Sequence, residues 1–96
     1  MPRKEPGDVA TRIGQRLRAE CVRLRLSTDD ASAAAGCSRR TWQYFESGQS
    51  LPDAEQLYQL ALVGFDVLFV VTGRRPYRVL QVEEDGSAVL TPPGEQ

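Results

Sequence analysis

The chain has 96 residues, 41% hydrophobic and 26% charged, with a net charge of −1, which describes one small globular domain, too apolar for a disordered chain and too short to enclose a large enzyme's deep cleft. It contains no histidine, and its two cysteines, Cys21 and Cys37, lack CxxC spacing, so the commonest general base and metal ligand is absent and neither a zinc site nor a disulfide framework is implied. Residues 1–48 carry nine Arg/Lys against six acids, +3, and residues 49–96 three Arg against seven acids, −4, a polarity that fits one-sided contact with a polyanion.

Residues 1–8, MPRKEPGD, are polar and proline-containing and predict a flexible arm. Val9, Ile13, Leu17, Cys21 and Leu24 recur at three- and four-residue steps and predict a helix over 9–25 with arginines on its other faces. Ser27, followed by Asp29 and Asp30, is an N-cap with carboxylates in the first turn; the alanine-rich helix it opens ends near Ala35, before Gly36. Ser38 opens a third helix, 39–47, stopped by Gly48. Asp53 and Gln56 form an aspartate capping box for a helix over 54–63 that buries Leu57, Leu60 and Ala61. Asp66 caps a last helix, 67–72, with Phe65 and Val70 at staple positions and Gly73 beyond its end. The apolar run 57–71 is interrupted by Gln59, Gly64 and Asp66 and is short for a bilayer span, so it predicts core rather than membrane. In the tail, 77–82 and 87–91 flank Asp85-Gly86, a two-residue hairpin signal that would set Val82 opposite Val89 and Leu80 opposite Thr91. The expected fold is all-α: a five-helix domain over 9–75, with a C-terminal β-hairpin tail over 76–96.

The informative segment is 26–48, two short helices joined at Gly36-Cys37-Ser38. A helix-turn-helix needs a small left-handed residue there so that the helices cross steeply. It needs small or apolar residues facing inward, which Ala31, Ala35, Cys37, Trp42 and Phe45 supply. The second helix must open with exposed polar side chains, because that end enters the major groove; Ser38-Arg39-Arg40 does so, with Gln43 and Tyr44 one turn on. Leu26-Ser27, Gly36-Cys37-Ser38, Phe45-Glu46-Ser47-Gly48, Pro52 and GFDVLFVVTG at 64–73 together resemble the phage repressor and Cro-like helix-turn-helix regulators over about residues 9–75. The resemblance implies a lambda-repressor-like fold and a homodimeric, double-stranded-DNA-binding transcriptional regulator, a repressor on a pseudo-palindromic operator. By position it assigns base contacts to Arg39, Arg40, Gln43 and Tyr44. It assigns phosphate contacts to Thr28, Ser38, Ser47, Gly48 and Gln49. No cofactor, metal, membrane partner, small-molecule substrate or enzymatic role is implied; with no secretory leader the thiols are read as reduced and the protein as cytoplasmic.

Two departures from that family set expectations. Cys21 stands where the family often has an arginine that pairs with the glutamate ending the third helix, so Glu46 must find Arg18, Arg25 or backbone donors, or lie more exposed. Ala31 is smaller and Trp42 larger than the family's usual aliphatics, which predicts an exchange of volume in which the indole fills space left by Ala31 and Ala35. The tail could contribute to dimerisation by strand pairing or apolar contact. The alternative reading is an antitoxin-like or other protein-interaction module whose acidic C-terminal tail binds a partner protein.

Overall fold

Four of the five helices begin where a side chain can absorb their unpaired amides. The computed structural model describes residues 6–75, 78–82 and 88–91. Its helices are α1, Pro6–Leu24; α2, Thr28–Ala35; α3, Arg39–Ser47; α4, Ala54–Leu62; and α5, Val67–Thr72. Ser27 and Asp53 close reciprocal capping boxes with Asp30 and Gln56. Ser38 and Asp66 each accept from the third amide of their helices. The pull of the Ser27 amide on Asp30 lowers that carboxyl's pKa. α1 begins at Pro6, inside the segment expected as an arm; proline is tolerated there because the first-turn amides have no intrahelical partner.

α1 packs on α3 and α5, α2 on α3 and α4, and α4 on α5. Between them lie Ile13, Leu17 and Cys21 of α1, Ala31 and Ala35 of α2, Trp42 and Phe45 of α3, Leu60, Phe65 and Val70. Trp42 is fully buried, its ring meeting Phe45 and Phe65 edge-on at centroid distances of 6.0 and 6.2 Å. Ala31 is fully buried in the same cluster, consistent with the expected exchange of volume. Trp42 Nε1 is enclosed without a hydrogen-bond partner.

Not every expected core position is fully buried; Leu24 and Leu57 are only half-buried. Val9 is exposed and Ala10 buried, because the inward face of α1 runs through 10, 13, 14, 17, 20 and 21 and leaves residue 9 at its edge. Ala61 is exposed, since it lies about 100° around α4 from the buried Leu60. Cys37 is only half-buried, packed against the core's margin.

The largest surprise is Glu20, an acid buried to 1% exposure on the apolar side of α1. Arg23 Nε and Nη2 donate to its two oxygens at 2.8 and 2.7 Å. The Asp66 amide donates at 2.7 Å, and Arg75 stands 3.6 Å away. These partners, led by the Arg23 hydrogen bonds, hold the carboxyl below its ordinary pKa against the opposing effect of burial. The cluster pins the start of α5 to α1, and Arg23 also donates to the Gly64 carbonyl at 2.8 Å. At the other end of α5, Arg16 donates to the Val70 and Val71 carbonyls, both at 3.3 Å, where a cation meets the negative end of the helix dipole.

The expected two-residue-turn hairpin is not supported. β1, Arg78–Val82, and β2, Ala88–Thr91, pair antiparallel, but Val82 is opposite Ala88 and Arg78 opposite Thr91, with a register shift between Val79 and Gln81. A turn centred on Asp85-Gly86 would require Val82 opposite Val89. That turn lies outside the described residues, as do residues 1–5 and 92–96.

Candidate nucleic-acid interface

The orientation of α3 follows from its two ends. Gly36 adopts φ 70°, ψ 35°, the left-handed conformation that lets the chain leave α2 and turn at once into α3. Ser38 Oγ then accepts from the Thr41 amide at 3.1 Å and donates to Thr41 Oγ1 at 3.0 Å. At the far end α3 lies against α1 with almost no intervening side chain. A Cβ at Gly14 would stand 2.4 Å from the Phe45 carbonyl oxygen, and one at Gly48 would stand 2.8 Å from Thr11 Cα. Two glycines thus set the spacing of the helix by backbone contact.

One side of α3 buries Trp42 and Phe45. The other carries Arg39, Arg40, Gln43 and Ser47, all exposed, and the half-buried Tyr44. The residues expected to read bases therefore share one accessible surface at the opening turns of the helix. Two contacts unseen in the sequence hold the arginines. Arg40 Nε donates to the Tyr44 hydroxyl at 2.8 Å, with its guanidinium 5.7 Å from the ring centroid. Arg39 lies 3.7 Å from Asp29 on α2, both side chains well exposed. Exposed pairs of this kind are worth about 0–1 kcal/mol, so neither arginine is locked away.

The residues expected to meet phosphates divide differently. Thr28, in the first turn of α2, is half-exposed. Ser38 is exposed, but its hydroxyl is occupied by capping. Past α3, the amides of Gly48, Gln49 and Ser50 already donate to the carbonyls of Phe45 and Tyr44. The side chains of Ser47 and Gln49 are exposed, so that turn offers side-chain groups to a ligand rather than free amides. Ser47 Oγ donates its one proton to the Tyr44 carbonyl at 3.2 Å, so a phosphate contact there requires the hydroxyl to turn outward.

The helix-turn-helix domain family matches residues 12–63 of the chain. The chain belongs to that family. Neither the curated proteins nor the solved structures contain a match. This helix-turn-helix domain is of the kind found in DNA-binding regulators, consistent with the repressor-like resemblance of its sequence.

Glu46 is where this helix-turn-helix domain departs from the expected bonding. Its side chain is half-buried and makes no hydrogen bond or ion pair with Arg18 or Arg25. It borders an open groove of about 360 Å³ together with Arg18, Cys21, Arg25, Leu26 and Thr28. Burial, reinforced by the nearby Glu46 and Glu20 charges, pushes the Cys21 thiol up to about 11, so it stays protonated at neutral pH. Among the described residues no three His, Cys, Asp or Glu side chains are grouped to hold a metal ion. No described helix is long and apolar enough to cross a membrane.

Proposed function

We propose that this protein is a cytoplasmic transcriptional repressor that binds a pseudo-palindromic operator as a dimer, with α3 in the major groove of each half-site. The carrying observation is the split of α3: Trp42 and Phe45 are buried, while Arg39, Arg40 and Gln43 are exposed on its first two turns. An arginine spans guanine O6 and N7 with two parallel hydrogen bonds, and glutamine does the same for adenine N6 and N7. Arg39 and Arg40 point about 100° apart around the helix. One reads a base and the other divides its donors between base and phosphate. Tyr44 steadies Arg40 and contacts the same groove. Thr28 and Gln49 meet the flanking phosphates directly; Ser38 and Ser47 do so by turning their hydroxyl protons away from Thr41 Oγ1 and the Tyr44 carbonyl; Gly48 lets the backbone come close without giving up its amide.

Dimerisation draws on the side away from the reading surface. Tyr58 and Leu62 on α4, and Leu68 and Val71 on α5, are exposed on helices that pack together, and residues 76–96 add to that contact. Two reading helices related by a twofold axis address half-sites about 34 Å apart.

Selection of bound sequences from random duplex DNA tests this reading. A twofold-symmetric site whose affinity falls steeply with salt is expected. Arg39→Ala and Arg40→Ala should each cost about 1–3 kcal/mol and relax preference at one base position. Wild-type affinity in both variants would reject α3 as the reading element. Removing residues 76–96 should shift sedimentation toward monomer; an unchanged dimer would reject the tail's part.

A further inference from the structure

We infer that Arg18 and Arg25, together with Thr28, form a phosphate clamp that holds the DNA backbone beside the recognition helix. This inference rests on the DNA-binding reading above and extends its footprint to the end of α1.

The first observation is an unexplained backbone conformation. Four helix ends close with the same paired bonds, residue 25 to 22 with 26 to 21, 36 to 33 with 37 to 32, 48 to 45 with 49 to 44, and 64 to 61 with 65 to 60. This motif puts the residue after the helix in left-handed space, where glycine is favoured. Glycine occupies three of the four positions. The fourth is Arg25, at φ 58°, the one positive-φ non-glycine among the described residues. Its side chain is exposed, so the strain is not offset by burial. The two closing bonds account for the backbone conformation but not for an arginine in a position that favours glycine, and its unengaged side chain points to a function outside the chain.

The second observation concerns which arginines are engaged. Arg16, Arg23, Arg39, Arg40 and Arg75 all bond to carbonyls, carboxylates or a hydroxyl within the domain. Arg18 and Arg25 make no side-chain hydrogen bond or ion pair among the described residues. Both border the groove whose wall also carries Thr28, and Glu46 is the one acid there, so the rim is net cationic. Thr28 likewise makes no side-chain hydrogen bond.

The third observation places this groove beside the reading surface. Asp29 follows Thr28 directly, and its carboxylate lies 3.7 Å from Arg39 at the start of α3. A duplex whose bases meet Arg39 therefore brings its backbone past Thr28. Two guanidinium groups and a hydroxyl match the donors that a phosphodiester takes in charge-assisted, bidentate bonds.

The test uses the full chain and the duplex recovered by random selection. Each phosphate contact contributes about 0.9 to the slope of log affinity against log salt. The Arg18→Gln/Arg25→Gln double variant removes one clamped phosphate and should lower that slope by about 0.9. It should weaken selected and unrelated duplexes alike and leave base preferences unchanged. Arg25→Gly gives the separating readout: its melting temperature should hold or rise as the left-handed strain is relieved, while its affinity falls. An unchanged slope in the double variant, with wild-type binding intact, overturns the clamp alone. Failure of the wild-type protein to bind any duplex overturns both the clamp and the DNA-binding reading.

Discussion

Gly14→Ala sets two effects of opposite sign against each other. Alanine is about 0.8–1.0 kcal/mol better than glycine in a helix interior, so propensity alone predicts a more stable protein. The added methyl, however, would lie 2.4 Å from the Phe45 carbonyl oxygen, 2.5 Å from that of Glu46 and 2.8 Å from the Glu46 carbonyl carbon. Those atoms are backbone, so no rotamer change relieves the clash. The end of α3 would have to retreat from α1 by more than about 0.5 Å, through a core centred on Trp42 and Phe45. Forcing a methyl into a filled interior costs about 1–3 kcal/mol, and an obstacle of rigid backbone belongs at or above the upper end. The net expectation is a loss of about 2 kcal/mol or more. In a domain of this size each kcal/mol moves the melting temperature by about 4–8 °C. The melting temperature followed by circular dichroism should therefore fall by about 8–16 °C or more. A melting temperature at or above wild type would refute the claim that backbone contact sets the position of α3. Gly36→Ala is the matched control: nothing lies within 4 Å of its Cβ, leaving only the left-handed strain, about 1–2 kcal/mol.

Trp42→Ala should lose about 3–5 kcal/mol in urea unfolding, because no rearrangement short of collapse fills the space between Phe45 and Phe65; native stability in that variant would reject the packing. Glu20 sets the acid limb of stability. Its folded-state pKa is lowered, so its contribution is complete above the ordinary value of 4.5 and is lost as pH falls through the folded value. Glu20→Gln should cost about 1–3 kcal/mol at neutral pH and flatten the decline below about pH 5; an acid limb parallel to wild type would assign the decline to other carboxylates.

The starts of α2 to α5 were legible because short-range chemistry decides them, whereas the start of α1, which has no such cap in its sequence, was placed three residues late. Ser27, Ser38, Asp53 and Asp66 are good caps by virtue of their own side chains, wherever the helix packs. The turn at Gly36 and the inward face of α3 were legible for the same reason. Glu20 was not, because a carboxylate on an apolar stripe is tolerable only with partners that come from elsewhere, here the Asp66 amide and Arg75. Its position three residues from Leu17 and four from Leu24 was the available signal. Arg16 reads as solvated until the end of α5 arrives beside it, 54 residues along the chain. The partners of Arg39 and Arg40 depend on rotamers, which residue spacing does not specify. The tail register failed because the pairing nearest the turn, Val82 with Ala88, is already one residue off what a two-residue Asp85-Gly86 turn requires, and the strand shifts again between Val79 and Gln81.

One legible feature and one that residue spacing does not reveal together hold the candidate reading surface. α3 is fixed by a hydroxyl cap at one end and by glycine-spaced backbone contact at the other, so its axis does not depend on any of the exposed arginines. The arginines themselves rest in weak, solvent-exposed pairings with Asp29 and Tyr44. If α3 reads bases as proposed, binding requires only that two side chains exchange those pairings for base edges, while the backbone stays where the core put it. Low reorganisation at the helix and easy release of the guanidinium groups are both needed for a short element to discriminate bases by a few kcal/mol. Replacing the backbone contacts at Gly14 would therefore degrade every base position together, whereas replacing Arg39 or Arg40 degrades one.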